Sequence, residues 1–235
     1  MRIGGAGNEV LALTFDLDDT LYDNRPVIES ADRWYSSMLE FHPWLRKIRA
    51  SEMIPLLKDE IRREDPLLES DVTLFRTEVL RRLFVSCGTD PAAAVTEAAL
   101  LVRRFIQVRS SFMVPKSSFR ILHLLGRKYP MIALTNGNVD AERIGLASCF
   151  SCCIRADRRL PAKPDPALFL EASRLLGVPP GNILHVGDDP VTDIYGACRA
   201  GFMTCMIRTE AFHDKIKPLP DLEISGPEEL ESILL

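Results

Sequence analysis

Hydrophobic positions recur with two different periods along the chain, and the change of period divides it. Val10-Leu11-Ala12-Leu13-Thr14-Phe15 is a short apolar run that stops at Asp16-Leu17-Asp18-Asp19-Thr20. Such a run, bounded by polar residues, reads as a buried strand of a parallel sheet. From Val27 to Ser110 the spacing is helical instead. Trp34, Met38 and Phe41 predict a helix over Glu29 to Phe41, and apolar residues at 53, 54, 57 and 61 predict one from Met53 to Ile61. A third, Val72 to Phe84, has apolar residues at 72, 75, 79, 80, 83 and 84; a fourth, Ala92 to Val108, is opened by Asp90-Pro91. Trp34, Phe41 and Phe84 read as the core of this bundle.

Beyond Ser110 strands and helices alternate. Helices are expected at Phe119 to Lys128, Ala141 to Ala147, Pro166 to Leu176, Val191 to Ala200 and Pro227 to Leu234. Strands are expected at Pro130 to Thr135, Phe150 to Arg155, Asn182 to Val186, Phe202 to Ile207 and around Leu222 to Ile224. Alternation with short loops predicts an α/β fold, a doubly wound (Rossmann-like) parallel sheet. The helical block interrupts it after the first strand, so residues 1–24 and 112–235 form the expected core and 25–111 an inserted helical bundle.

Composition narrows the function. Of 235 residues, 46% are hydrophobic and 26% charged, an ordinary globular balance. A net charge of −4 offers no electrostatic case for nucleic acid or an anionic membrane. No apolar stretch approaches a membrane span, and residues 1–9 lack the apolar centre of a signal peptide, so a cytoplasmic location is expected. Gly5-Ala6-Gly7 precedes a strand and lacks a third glycine, so it is not a dinucleotide fingerprint. Of the six cysteines, Cys149 and Cys152 form a C-x-x-C, but no second pair or nearby histidine completes a zinc spacing. Buried, reduced thiols are expected.

The candidate chemistry lies at strand ends. Asp16, Asp18 and Thr20 follow the first strand, and Thr135, Asn136 and Gly137 the second. Lys163 follows the third; Asp188, Asp189 and Asp193 follow the fourth. In a parallel sheet these carboxyl ends share one edge, where distant residues converge on one crevice. Asp16 and Asp18 share strand parity; two carboxylates so close require a cation between them or a retained proton. Carboxylate oxygens suit Mg²⁺, and a lysine with backbone N–H groups opposite suits a phosphate. Each residue also has a plainer reading. Thr135 and Asn136 could cap a turn, Lys163 could be solvated, and Asp188, Asp189 and Asp193 could decorate a helix N-terminus. His185, inside an apolar strand, reads as a satisfied core histidine.

Asp16-Leu17-Asp18-Asp19-Thr20, Thr135-Asn136-Gly137, Lys163-Pro164 and Gly187-Asp188-Asp189-Pro190-Val191-Thr192-Asp193 together resemble the four ordered motifs of the haloacid dehalogenase superfamily. The helical block falls where that family inserts its cap. The resemblance implies a phosphatase with Asp16 as nucleophile and Asp18 as general acid, then base. It implies that Thr135, Asn136 and Gly137 hold the phosphate and that Lys163 offsets charge. Mg²⁺ would be held by the Asp16 carboxylate, the Asp18 carbonyl and Asp188, with Asp193 or Asp189 supporting. The runs Asp18 to Ile28, Thr135 to Asn138 and Ile183 to Asp189 are similar to bacterial phosphatases of the riboflavin pathway. This implies 5-amino-6-(5-phospho-D-ribitylamino)uracil or FMN as substrate. Tyr22, Asn24 and Arg76 could line its pocket, and Arg76 on a mid-bundle helix reads equally well as a solvated or ion-paired arginine. A broad-specificity sugar or nucleotide phosphatase and a non-catalytic phosphometabolite-binding module are the alternatives. The expected partner is a small phosphorylated metabolite.

Overall fold

The computed structural model describes residues 2–3, 8–45, 49–208 and 219–235. A short antiparallel pair, β1 (Arg2–Ile3) and β2 (Asn8–Glu9), precedes β3 (Ala12–Phe15). Four helices follow: α1 (Arg25–Phe41), α2 (Ala50–Glu64), α3 (Val72–Ser86) and α4 (Pro91–Arg109). Then come α5 (Lys116–Leu125), β4 (Met131–Thr135), β5 (Cys152–Arg155), α6 (Ala167–Leu176) and β6 (Ile183–Gly187). A π-helical turn, Pro190–Tyr195, runs into α7 (Gly196–Arg199). The chain ends with β7 (Met203–Ile207), β8 (Leu222–Ile224) and α8 (Leu230–Leu234).

Six strands form one parallel sheet in the order β5-β4-β3-β6-β7-β8. Strand periodicity sorts the side chains between its two faces. Leu13, Phe15, Met131, Ala133, Leu184 and Val186 join Ile121 and Leu122 of α5 and Leu230 and Leu234 of α8. Ala12, Ile132, Leu134 and Ile183 pack on the other side against Leu168, Phe169 and Ala172 of α6. Helices therefore cover both faces, as the continuous apolar strands require. The chain works outward from β3 to β5, then returns to lay β6 on the other side of β3. That reversal opens a crevice beyond the ends of β3 and β6, where open α/β sheets bind ligands.

Helices α1 to α4 bury a core of their own, with Leu39, Leu80, Leu83, Phe84, Ala98, Leu101 and Val102 at its centre. Asp71 and Asp90 begin α3 and α4 by accepting hydrogen bonds from first-turn N–H groups.

Several expectations change. Phe84 is buried, but Phe41 is 72% exposed, because α1 turns Ala31 and Leu39 inward with Tyr35 and Met38 against them. Of the 34–38–41 stripe, Met38 packs against that core and Trp34 is half-buried. Ala141 to Ala147 forms turns leading into a 3-10 segment, Leu146–Cys149, since Gly145 at φ +80° stops any helix. All six cysteines are free, but Cys205 alone is buried and Cys153 is exposed, because β5 is a sheet edge. Gly5-Ala6-Gly7 lies outside the described residues. No helix among the described residues is long and apolar enough to cross a membrane.

Candidate active site

The parallel register sets Phe15 beside Val186, and the Asp16 N–H donates to the Val186 carbonyl at 2.9 Å. Asp16 and Asp188 therefore emerge side by side from β3 and β6. Asp193 reaches the same place from the π-helical turn, because Asp189 caps that turn: its Oδ1 accepts from Val191 N and Thr192 N at 2.8 and 2.7 Å. A Cβ on Gly187 would stand 2.4 Å from Asp193 Cγ, so the carboxylate packs where only glycine leaves room. Asp16, Asp188 and Asp193 each offer an oxygen within 4.8 Å of the others.

Lys163 lies at the centre of this group. Its ammonium donates to Asp16 Oδ1 at 2.6 Å, Asp193 Oδ1 at 2.6 Å and the Leu134 carbonyl at 3.0 Å, which uses all three of its protons. Its loop is held by Asn136, whose Oδ1 accepts from Lys163 N at 2.8 Å and whose Nδ2 donates to the Lys163 carbonyl at 2.9 Å. Asn136 is thus at the site, with one amide proton and one oxygen lone pair engaged by the lysine backbone. Thr135 Oγ1 accepts from Gly137 N at 2.9 Å, leaving its own proton to donate into the cleft. His185 is buried and satisfied: Nε2 donates to Asp193 Oδ1 at 3.2 Å, so Nδ1 accepts from Thr14 Oγ1 at 2.9 Å.

The electrostatics follow from the crowding. Burial raises the pKa of Asp16 well above the usual carboxylate range, with Lys163 opposing and Asp193 adding to the rise. Asp193 is buried too, but Lys163 and His185 hold it below that range. Burial alone would lower Lys163; its two carboxylates overcome this and raise it. Burial, then Asp193, Asp19 and Asp189, push Asp188 up to about 7. Three carboxylates around one ammonium leave a deficit of two positive charges, and oxygen donors of this kind suit a hard divalent cation.

Asp18 faces the same cleft with its carboxylate engaged from two sides. Tyr22 OH donates to Oδ1 at 2.6 Å and Arg109 Nη2 to Oδ2 at 2.5 Å, while Arg109 Nη1 donates to Asn138 Oδ1 at 2.7 Å. A Cβ on Gly137 would stand 2.5 Å from Asp18 Oδ2, so glycine is required where the two loops meet. Asp19 turns the chain away at φ +58°, and its Oδ1 accepts from Asn24 N at 2.8 Å. Thr20 Oγ1 donates to Asp188 Oδ1 at 3.3 Å. Asp16, Asp18, Thr135, Asn136, Gly137, Lys163, Asp188, Asp189 and Asp193 all line one cleft of about 200 Å³, a space sized for a phosphoryl group rather than a whole metabolite.

A family model of haloacid dehalogenase-like hydrolases matches residues 10–201. The chain belongs to this family. It is 37% identical, over the whole of both chains, to the 5-amino-6-(5-phospho-D-ribitylamino)uracil phosphatase of Escherichia coli (strain K12). It is 27% identical to the glyceraldehyde 3-phosphate phosphatase of Methanopyrus kandleri, over 96% of this chain and 97% of the other. Among solved structures, one described as a 2-haloacid dehalogenase of Pseudomonas syringae superposes with a TM-score of 0.90 at 31% identity, covering 96% and 98% of the two chains. The chain is a haloacid dehalogenase-type hydrolase of phosphoric monoesters.

Two functional contacts of this family member had no signal in the sequence. Arg109 reads as a last-turn arginine favoured by the helix dipole, yet it is 4% exposed and bound to Asp18, 91 residues away. Tyr22 was expected to line the pocket, but its contact with Asp18 depends on how the loop after β3 folds.

Proposed function

We propose that this chain is a Mg²⁺-dependent phosphatase of small phosphomonoesters that works through an aspartyl-phosphate on Asp16. The observation that carries the reading is the single ammonium of Lys163, 2.6 Å from both Asp16 and Asp193, beside Asp188 at the sheet switch point. Asp16 and Asp188, with the Asp18 carbonyl, would hold Mg²⁺; Asp193 and Asp189 support them through Lys163 and the helical turn. Bound there, the ion would neutralise charge on the transferring phosphoryl group.

Asp16 attacks phosphorus as the bond to the ester oxygen breaks, and the departing oxygen takes its proton from Asp18, which enters the step as the carboxylic acid with one of its two accepted hydrogen bonds given up. Asp18, now a carboxylate, takes a proton from water; the new hydroxide attacks phosphorus and the bond to Asp16 breaks, releasing phosphate. Lys163, the Thr135 hydroxyl and N–H groups around Gly137 balance the charge of the phosphoryl oxygens. Helices α1 to α4, residues 25–111, act as the cap over the leaving group. The full-length likeness to the Escherichia coli phosphatase supports 5-amino-6-(5-phospho-D-ribitylamino)uracil as the substrate; FMN as a further substrate and a cytoplasmic location belong to the same proposal.

The likeness to a structure described as a dehalogenase raises a second reading. A departing halide needs no proton, which leaves Asp18 and its two donors without a task. Phosphate release from a panel of phosphometabolites, alongside halide release from 2-chloropropionate, tests both. We expect phosphate release alone, abolished by chelation and restored by Mg²⁺. Asp16→Asn should remain folded and lose turnover by about 10⁴-fold or more. Chelator-resistant hydrolysis, or an active Asp16→Asn, would refute the mechanism.

A further inference from the structure

The 200 Å³ cleft holds little beyond a phosphoryl group, so the rest of a substrate must extend beyond it. The helical insertion stands over one side. Thr73, in the first turn of α3, accepts a 3.5 Å contact from Asn138 Nδ2, and Arg109, the last residue of α4, binds Asp18. One turn after Thr73 stands Arg76, and one turn before Arg109 stands Phe105, each on the same helix face as its neighbour. The Arg76 guanidinium lies over the Phe105 ring at 3.8 Å and the Tyr35 ring of α1 at 5.0 Å. It is thereby held about one helical turn from Thr73 and Arg109, the two residues of the insertion that reach Asn138 and Asp18.

Its lack of a partner sets it apart. Arg33, Arg49, Arg62, Arg81 and Arg82 of the insertion each pair with a carboxylate, and Arg109 pairs with Asp18. Arg103 and Arg104 make no pair and are exposed to water. Arg76 is half-buried, yet among the described residues it has neither an ion pair nor a hydrogen bond. Asp32 acts on it from beyond ion-pair distance, and Arg109 adds a second positive charge nearby. A guanidinium held on two aromatic rings with its donors unused is pre-organised for acceptors that arrive from outside.

Resting on the phosphatase reading, we propose that Arg76 selects the leaving group, binding a flat unit with two acceptor oxygens, an imide or a carboxylate, on the alcohol side of the ester. The planar fork would grip the two oxygens of a carboxylate bidentately, or close two N–H groups on one carbonyl oxygen of an imide, and the Phe105 and Tyr35 rings would fix its plane. An ester without acceptors gains nothing from it.

Steady-state kinetics of wild type, Arg76→Ala and Arg76→Lys on FMN (an imide), phosphoglycolate (a carboxylate) and phenyl phosphate (neither) test this. Arg76→Lys keeps a charge and an aliphatic stem over Phe105 if the alanine variant folds poorly. We expect wild type to prefer at least one acceptor-bearing ester. In both variants that preference, as a ratio of kcat/KM to phenyl phosphate, should fall by about tenfold or more, chiefly through KM. Whether FMN or phosphoglycolate shows the drop identifies the acceptor. Equal losses on all three esters, no loss, full rescue by lysine, or a wild type that prefers phenyl phosphate would overturn the role of Arg76 and leave the phosphatase reading standing. A wild type inactive on every ester with Mg²⁺ would overturn both.

Discussion

Two clusters in this molecule have the same recipe, one cation among several carboxylates, and opposite consequences. On the helical insertion, Arg82 donates to Glu78, Glu60 and Glu64 at 2.7, 3.2 and 2.6 Å, with Glu60 and Glu64 half exposed. At the sheet edge, Lys163 donates to Asp16 and Asp193, and the lysine and Asp193 side chains are each 1% exposed. Water reorganises around the first cluster as readily as the protein does, so its geometry carries little free energy. The second is buried, so solvent compensates little, and removing either partner strands a charge. Burial, rather than residue type, converts an ordinary ion pair into a cluster whose excess negative charge solvent does not screen.

Lys163→Met tests this contrast most severely. With Asp16 and Asp193 left facing each other, turnover should fall by about 10²–10³-fold or more, and the melting temperature by about 6 °C or more. A variant that melts and turns over like wild type would erase the distinction between the clusters.

A smaller effect concerns pH. Burial and its acidic neighbours raise Asp188 from 3.8 to about 7. For an acid raised on folding, the stabilisation is present below the unfolded pKa and is lost as pH climbs through the folded one. Metal-free protein should therefore lose this contribution between those two values. Mg²⁺, which competes with the proton for the carboxylate, should raise the melting temperature more at about pH 8 than at about pH 5. An equal increment at both would remove Asp188 as a ligand.

The smallest effect belongs to the exposed cluster. Arg82→Ala should shift the melting temperature by no more than about 3 °C and leave kcat unchanged. A shift as large as that of Lys163→Met would show that burial is not what separates the two.

The strands and the residues at their ends were legible because they rest on local signals: apolar runs of strand length, and polar residues where each run stops. Asp16, Thr135, Lys163 and Asp188 converge as expected, since a parallel sheet has one carboxyl edge. The helical stripe on α1 was misread at Phe41, where neighbouring faces both carry large apolar residues and packing selects one. Asn136 was expected at the phosphate site and lines that cleft; that its amide also holds the Lys163 loop, 27 residues away, had no signal in the sequence. Nothing near Arg109 in the chain distinguishes it from its exposed neighbours Arg103 and Arg104.

By itself, the order of residues determined the layered α/β architecture, the place of the helical insertion and the inventory of acids, hydroxyl and lysine at one edge. Periodicity and strand ends are short-range properties that a chain carries wherever it folds. Tertiary structure alone decided which charge each of those groups meets: Lys163 between Asp16 and Asp193, Arg109 on Asp18, and Arg76 on two aromatic rings with no ion pair among the described residues. Coulomb energy depends on separation and burial, and both are set only when segments remote in the chain come to rest together.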